Sequence, residues 1–329
     1  MARRERRDAL TPDNLGMMDA IARNGSFAAA ARELGRVPSA LTYSVRQLEE
    51  SLDALLFDRS SRQARLTAAG EELLAESRRL LCELDSVANR VHRVATGWES
   101  RLTVAADGLI SRPTLFELAS AFYEMAPQAP QPEGGRERGA AGTQLRLRAE
   151  ILAGTWEALL SGQADLAIGT GDLGEPPPGI QVETLGTVPF VFAVAPGHPL
   201  LHHRGVFSDR DVPGHRAVAV ADSARRMSAL TVNLLPGQDV LTVSSMQEKL
   251  EAQLRGLGCG FLPEPLARPH LETGRLVACR LQRPEPAARL GYAWRASSRR
   301  AASGMALRWW LGQLRSPATR AALLERHAY

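Results

Sequence analysis

The 329-residue sequence predicts two kinds of structure in one chain, an all-helical N-terminal part followed by an α/β remainder. Three observations point there. Short helix-period stretches broken by glycine and proline fill residues 12–51, one uninterrupted amphipathic pattern covers 67–96, and strand-like and helix-like segments alternate from residue 101 onward.

Composition bounds what such a chain does. With 44% apolar and 23% charged residues it holds enough core for two or three domains. No apolar run approaches a membrane span, and the arginine cluster at 3–7 leads into polar residues rather than a signal peptide's apolar core, so the sequence predicts a cytoplasmic protein. Cys82, Cys259 and Cys279 are far apart and form no C-x-x-C pair, which reads as packing thiols rather than a zinc or disulfide framework. The net charge is +4 and nearly every basic residue is arginine, Lys249 being the lone lysine. Arginine richness fits phosphate contact.

In the N-terminal part, Met18, Ile21, Ala22, Phe27, Ala30, Ala31 and Leu34 recur at helical spacing. Gly25-Ser26 breaks the pattern, with Ser26 placed to cap the next helix, and Gly35 ends that helix. Pro38 then opens a third helix over 38–51, because proline is tolerated in a first turn. Leu41, Val45 and Leu48 face inward. Ser39, Thr42, Tyr43, Arg46 and Gln47 are left outside, the residue types that read base edges and grip phosphates in a major groove. Leu55, Leu56 and Phe57 give an apolar anchor, and "DRSSRQARLT" places Arg59, Arg62 and Arg65 on a hairpin-like wing. An ordinary three-helix bundle with a solvated face has the same helix pattern; the wing arginines beside that face favour nucleic acid.

Gly25-Ser26-Phe27, Ala30-Ala31, Leu34, Ser39-Ala40-Leu41, Leu48-Glu49, Leu56-Phe57, Arg59 and Leu66-Thr67 with Gly70 form a dense, ordered set over about 50 residues. It resembles the winged helix-turn-helix signature of LysR-type transcriptional regulators. The resemblance implies a DNA-binding domain over 1–66 that meets double-stranded promoter or operator DNA through Ser39, Thr42, Tyr43, Arg46, Arg59 and Arg62. Two positions depart from the family pattern: Thr42 stands where serine is usual, and Asp53 where glycine is usual. Asp53 is therefore expected in a left-handed backbone, which aspartate tolerates better than most residues.

Along the long helix, Leu73, Leu80, Leu84, Val87, Val91 and Val94 fall at steps of seven, four, three, four and three, an a/d heptad seam flanked by charges. Either the helix packs on its own domain or a second chain covers the seam. The resemblance implies the second, a linker helix over 67–97 that makes a homodimer, which assembles further to a homotetramer.

Residues 97–100 read as a hinge. Beyond it, "RLTVAAD" (101–107), "LRLRAEIL" (145–152), "ADLAIG" (164–169), "VPFVFAVAP" (188–196), "RAVAVAD" (216–222) and "DVLTVSS" (239–245) read as strands, with helices over 115–125, 156–161 and 246–257 between them. Such alternation predicts α/β units with mainly parallel sheets. The order resembles the family's two-lobed α/β effector domain, itself similar to periplasmic solute-binding proteins, over 98–329. That likeness implies lobe I over about 101–171 and 283–329, lobe II over about 172–282, and a crossing near Gly171. "GYAWRA" (291–296) and a helix over 307–314 complete the first lobe. Residues 127–142, rich in proline, glycine and charge, read as an inserted surface loop.

Ligands of α/β folds sit at the carboxyl ends of strands, where the topology switches. Four ends qualify: Asp107-Gly108, Gly154-Thr155-Trp156 at a helix start, Gly169-Thr170, and Ser244-Ser245-Met246. Thr155, Thr170, Ser244 and Ser245 supply hydroxyls, helix starts favour an anion, and Trp156 offers a stacking face. Helix capping and core packing compete for the same residues. The resemblance implies a small-molecule effector held near Asp107, Gly108, Thr155, Trp156, Gly169, Thr170, Ser244 and Ser245. Asp107 would repel an acidic effector unless Arg146, Arg148 or Arg225 balances it.

Enzyme readings fail on context. "GTGDLG" (169–174) follows a strand, but Glu175 and three prolines stand where a dinucleotide motif needs a helix. His198, His202 and His203 lack a helical i, i+4 frame and a carboxylate partner, no G-x-S-x-G elbow exists, and Cys259 in "GLGCGF" reads as a strand residue rather than a redox sensor. The expectation is a one-component regulator with no catalytic residue, metal or cofactor, and no membrane partner.

Overall fold

The computed structural model describes residues 6–58, 64–124, 143–172, 176–202, 205–208, 210–296 and 303–327. Arg59 and Arg62, His203 and the 127–142 insertion lie outside them. The chain divides into two compact units, Met1–Ala88 and Asn89–Tyr329.

In the first unit, local signals set every helix end. Helix α1 (Pro12–Asn24) starts with Thr11 accepting from the Asn14 amide and closes at Gly25, whose φ of 61° is left-handed. Ser26 caps α2 (Phe27–Glu33) by accepting from the Ala29 amide. Helix α3 (Pro38–Leu52) carries its proline in the first turn and ends at Asp53, with φ 54° and ψ 42°, the left-handed backbone expected of that position. Met17, Met18, Ile21, Ala30, Ala31, Leu41, Val45 and Leu48 pack into one core with Leu56 and Phe57. Strand β1 (Phe57–Asp58) pairs antiparallel with β2 (Arg65–Leu66) to make the base of the wing. A carboxylate holds this base to α3: buried Glu49 accepts from the amides of Leu56 and Phe57 at 2.8 and 3.3 Å.

Helix α4 (Ala68–Thr96) is a single helix. Its first turns belong to the first core, with Leu73 packed against it and Arg78 paired to Asp19 at 2.6 Å. Further along, Leu84, Val87, Val91 and Val94 are 47%, 42%, 66% and 74% exposed. The heptad seam is therefore uncovered within one chain over its C-terminal half.

The 97–100 segment is anchored, which corrects the expected hinge. Trp98 is buried in the main core of the second unit, the Glu99 carboxylate accepts from the Ala306 amide at 3.1 Å, and Asn89 bonds to Ser100 and Arg101. A tryptophan with apolar partners distant in sequence gives no local signal of that anchoring.

The second unit is α/β with a mixed sheet, so the mainly parallel expectation needs correction. Strand β3 (Arg101–Asp107) pairs in parallel with β4 (Gln144–Glu150) and β5 (Leu166–Thr170). Strand β11 (Ala287–Arg295) then inserts antiparallel between β5 and the long β6 (Ile180–Val194). The far end of β6 pairs antiparallel with β9 (Gly260–Pro263) and β10 (Val277–Ala278). One strand thus serves both lobes: residues 180–189 of β6 face β11, and residues 190–194 face β9 and β10. The crossing lies in the middle of β6, where the Phe190 amide donates to the Pro286 carbonyl, and not near Gly171. A separate parallel pair, β7 (Ala217–Val220) with β8 (Val240–Val243), belongs to the second lobe. Helices α5 (Arg112–Glu124), α6 (Ala153–Leu160), α7 (Met246–Leu254), α8 (Glu264–Glu272), α9 (Met305–Arg315) and α10 (Pro317–Glu325) cover the sheets. Leu102, Val104, Phe122, Ile168, Tyr292 and Trp310 form the first lobe's core; Phe192, Leu200, Cys259 and Phe261 form one of the second lobe's.

Candidate functional sites

The outward face of α3 is the first site. Ser39, Thr42, Tyr43, Arg46 and Gln47 are all exposed, while Leu41, Val45 and Leu48 are buried beneath them. Tyr43, an apolar ring at 65% exposure, is uncovered at the middle of the helix. Thr42 donates its hydroxyl proton to the Pro38 carbonyl at 3.0 Å, which leaves its oxygen to act as an acceptor. Several of the unit's arginines on other faces are neutralised: Arg23 by Asp19 and Glu33, Arg36 by Asp13, Arg78 by Asp19. Arg46 has no carboxylate partner among the described residues and presents a free planar donor set.

The second site lies at the strand ends of the second unit. Asp107, at the end of β3, is buried; Oδ1 accepts from the Leu109 amide at 2.9 Å, and Oδ2 accepts from the Leu152 amide at 2.8 Å and the Thr155 hydroxyl at 3.4 Å. Leu152 itself has φ 52°, a left-handed backbone that a branched side chain rarely adopts. Gly169 is required by close approach, since a Cβ there would lie 2.8 Å from the Asp107 Cβ.

Two cavities share the wall made by Asp107, Leu109 and Leu152. The smaller, about 70 Å³, runs between the lobes from Gly108 and Ile151 to Phe190, Val220, Met246, Lys249 and Phe261. The larger, about 380 Å³, extends along Trp156, Gly169, Gly171 and Ala287–Leu290. Asp107 and Gly108 therefore line the first cavity, and Asp107, Trp156 and Gly169 the second. Thr155, Thr170, Ser244 and Ser245 line neither.

The reasons are local. Ser245 is the N-cap of α7, accepting from the Glu248 amide at 3.1 Å, while the Glu248 carboxylate accepts from the Ser244 amide and hydroxyl at 2.8 Å, a reciprocal capping arrangement. The Thr155 hydroxyl is held by Asp107, and Thr170 is buried with its hydroxyl unpaired. Trp156 offers less than the expected stacking face: it packs on Leu159, Ala167 and Ala293, and its indole N–H donates to the Gly171 carbonyl at 2.9 Å. The cation on the smaller cavity's wall is Lys249 and not Arg146, Arg148 or Arg225, while Arg289 lines the larger; Arg148 pairs with Glu150 at 2.7 Å. Lys249, Met246, Phe190 and Phe261 are the lining residues that strand-end reasoning misses, and the one signal for them is the isolation of a single lysine in an arginine-rich chain.

The features that tempt an enzymatic reading are structural. No helix follows β5 among the described residues before β6, and no metal-holding cluster occurs among them. His198 accepts the Leu200 amide on Nδ1 and packs 5.1 Å from His215. Burial pushes the Cys259 and Cys279 thiols up to about 11, away from thiolate chemistry.

Burial also lifts the Asp107 carboxyl to about 6 from 3.8, against the pull of its three donors. The folded state therefore holds the proton more tightly than the unfolded chain, and this group's contribution to stability falls as pH rises from about 4 through about 6. Two pH units correspond to about 3 kcal/mol. Urea unfolding at intervals between pH 4 and 7 should show the wild type losing about that much relative to Asp107→Asn; parallel curves for the two proteins would dismiss the effect.

Residues 12–71 match the family model described as "Bacterial regulatory helix-turn-helix protein, lysR family", and residues 95–318 match "LysR substrate binding domain". The chain is 39% identical over 302 residues to the probable HTH-type transcriptional regulator YhaJ of Escherichia coli K12, covering 91% of this chain and 95% of that one. It is 35% identical over 267 residues to YeeY, an uncharacterized HTH-type transcriptional regulator of the same organism, with coverage of 80% and 81%. Among solved structures, full-length CbnR complexed with its target DNA has a similar fold at TM-score 0.55 and 17% identity, covering 93% of this chain and 99% of that one.

Proposed function

The chain belongs to the LysR family of bacterial transcriptional regulators, and from that membership we propose how its parts divide the work. It is a DNA-binding regulator with an effector-binding domain, and not an enzyme. In our reading α3 enters the major groove, with Ser39, Thr42, Tyr43 and Arg46 at base edges and nearby phosphates, and Arg59 and Arg62 of the wing grip the backbone. The domain limits follow as 1–66 for DNA, 67–97 for the linker helix and 98–329 for the effector. Two chains pair through α4, dimers assemble to a tetramer, and the protein works in the cytoplasm; no helix among the described residues is long and apolar enough to cross a membrane.

The effector occupies the cleft walled by Asp107, Gly108, Trp156 and Gly169. Thr155, Ser244 and Ser245 act behind that wall, Thr155 by holding Asp107 and the two serines by capping α7, while Thr170 is buried beside it. Because β6 serves both lobes, a ligand that favours one closure state shifts the population of the whole domain by its differential affinity, and DNA affinity moves with it.

The observation that carries the DNA reading is the unpaired Arg46 on an exposed face. Selection from random duplexes gives a cognate site. At that site Arg46→Ala or Thr42→Ala should cost about 1–3 kcal/mol and relax sequence choice, whereas Arg62→Ala should weaken binding to all sequences and reduce the salt slope by about 1. Equal preference by the wild type and the Arg46/Thr42 double variant in gel-shift titrations would remove α3 from the recognition role.

A further inference from the structure

Lys249 is 9% exposed and lines the smaller inter-lobe cavity, yet it has no hydrogen-bond or ion-pair partner among the described residues. A buried cation without a partner is costly, and proteins keep one where something compensates it. Asp107 shares the cavity wall but is engaged elsewhere, by the Leu109 and Leu152 amides and the Thr155 hydroxyl. The internal alternative is Gln253, one turn on along α7. Its amide nitrogen donates to the Gly260 carbonyl at 3.0 Å, and its oxygen Oε1 is itself buried and unpaired, so Gln253 leaves the ammonium uncompensated.

Resting on the effector reading above, we infer that the ligand of this cavity is a small, largely apolar monocarboxylate whose carboxylate pairs with Lys249. Each part of the description has a separate source. One cation on the wall calls for one negative charge, and a second charge on the ligand would be repelled by the Asp107 carboxyl that shares the wall. The remaining wall, formed by Ile151, Leu152, Phe190, Val220, Met246 and Phe261, is apolar and suits a hydrocarbon body. A volume of about 70 Å³ corresponds to roughly six water-sized spaces, the scale of a short branched or monocyclic acid. Thr231 and Asn233, also on the wall, supply polar groups for the carboxylate's second oxygen. Burial draws the Lys249 amine down to about 8, so it remains mostly protonated at neutral pH.

The test uses the full chain and defined probes: isovalerate, hexanoate and benzoate, the amides of the same acids, and succinate as a dianion. Melting temperature and titration calorimetry are read for the wild type, Lys249→Met and Lys249→Arg. At least one monocarboxylate should raise the wild-type melting temperature, its amide and succinate should bind at least tenfold more weakly, Lys249→Met should lose at least tenfold in affinity, and Lys249→Arg should retain binding. Without ligand, Lys249→Met should melt cooperatively like the wild type and keep hydrogen-exchange protection of β3, β5 and β11, showing that the second unit folds. An amide that stabilises the wild type and Lys249→Met as well as its acid does overturns the charge assignment while leaving the effector cavity in place. Absence of binding by all three acids overturns the inference; a wider metabolite set that finds no stabilising molecule of any charge overturns the effector reading with it.

Discussion

Leu84→Asp should convert the dimer to a monomer and abolish operator binding by the full chain, with the Asn89–Tyr329 unit still folded. In one chain Leu84, Val87, Val91 and Val94 are exposed along a single helix of 29 residues, spaced as an a/d seam that a second helix would cover. Burying such side chains is worth about 1.5–3 kcal/mol each. A carboxylate in the same interface adds an uncompensated desolvation of several kcal/mol per chain. The two effects together exceed what a seam of this length can absorb. DNA binding falls with assembly because a two-fold protein reads two half-sites, and a monomer holds only one. Light scattering at micromolar concentration measures the mass and gel shift the binding. A variant that keeps the dimer mass would show that another surface joins the chains. Leu73 makes a useful contrast: it belongs to the same heptad register but packs against the first unit's own core, so its substitution should unfold that unit rather than dissociate the dimer.

The split within that heptad shows where the sequence was legible. Local chemistry could be read directly: Gly25, Ser26, Gly35 and Pro38 mark the ends of α1, α2 and α3 because capping and left-handed closure are decided within a few residues. Asp53 adopts the left-handed backbone inferred from its place alone. Strand direction was not legible, since a period of two carries no sign; the antiparallel entry of β11 between β5 and β6 depends on contacts about a hundred residues or more apart. The segment "GFLPEPLARPHLE" hid β9 and α8 behind three prolines, although Pro265 stands in the helix's first turn and Pro269 forfeits only one amide bond.

In the cleft, the strand-end rule names Asp107, Gly108 and Gly169, and these line the two cavities because chain position determines where strand ends fall. Hydroxyl type was a poor guide, since Ser245 and Thr155 spend their oxygens on the fold. Lys249 and Met246 reach the cavity from α7, and Phe190 from the point where β6 passes between the lobes. Only the assembled topology brings those three elements to one place, so no window of sequence contains the cavity.

Glu49→Leu should unfold the DNA-binding unit selectively. Glu49 looks like one more acidic residue on an exposed helix, adjacent to Leu48 in the stretch that resembles the family signature. The structure buries its side chain and gives it the amides of Leu56 and Phe57, which begin the wing. Leucine fills the space but leaves two buried N–H groups without an acceptor, at about 1–3 kcal/mol each. A loss of about 3 kcal/mol or more is a large fraction of what a unit of this size has. Gln retains the accepting Oε1, so Glu49→Gln should keep most of the stability and separates the hydrogen bonds from the charge. Hydrogen exchange read by mass spectrometry distinguishes the units: peptides from α1, α2 and α3 should lose protection in Glu49→Leu while those from β3, β5 and β11 stay protected. Operator binding should disappear with the protection of α3, because Ser39, Thr42 and Arg46 are presented on one exposed face only while Leu41, Val45 and Leu48 are packed. Equal exchange in Glu49→Leu and wild type would mean that the wing is held by the Phe27–Phe57 ring contact at 5.2 Å and the surrounding core instead.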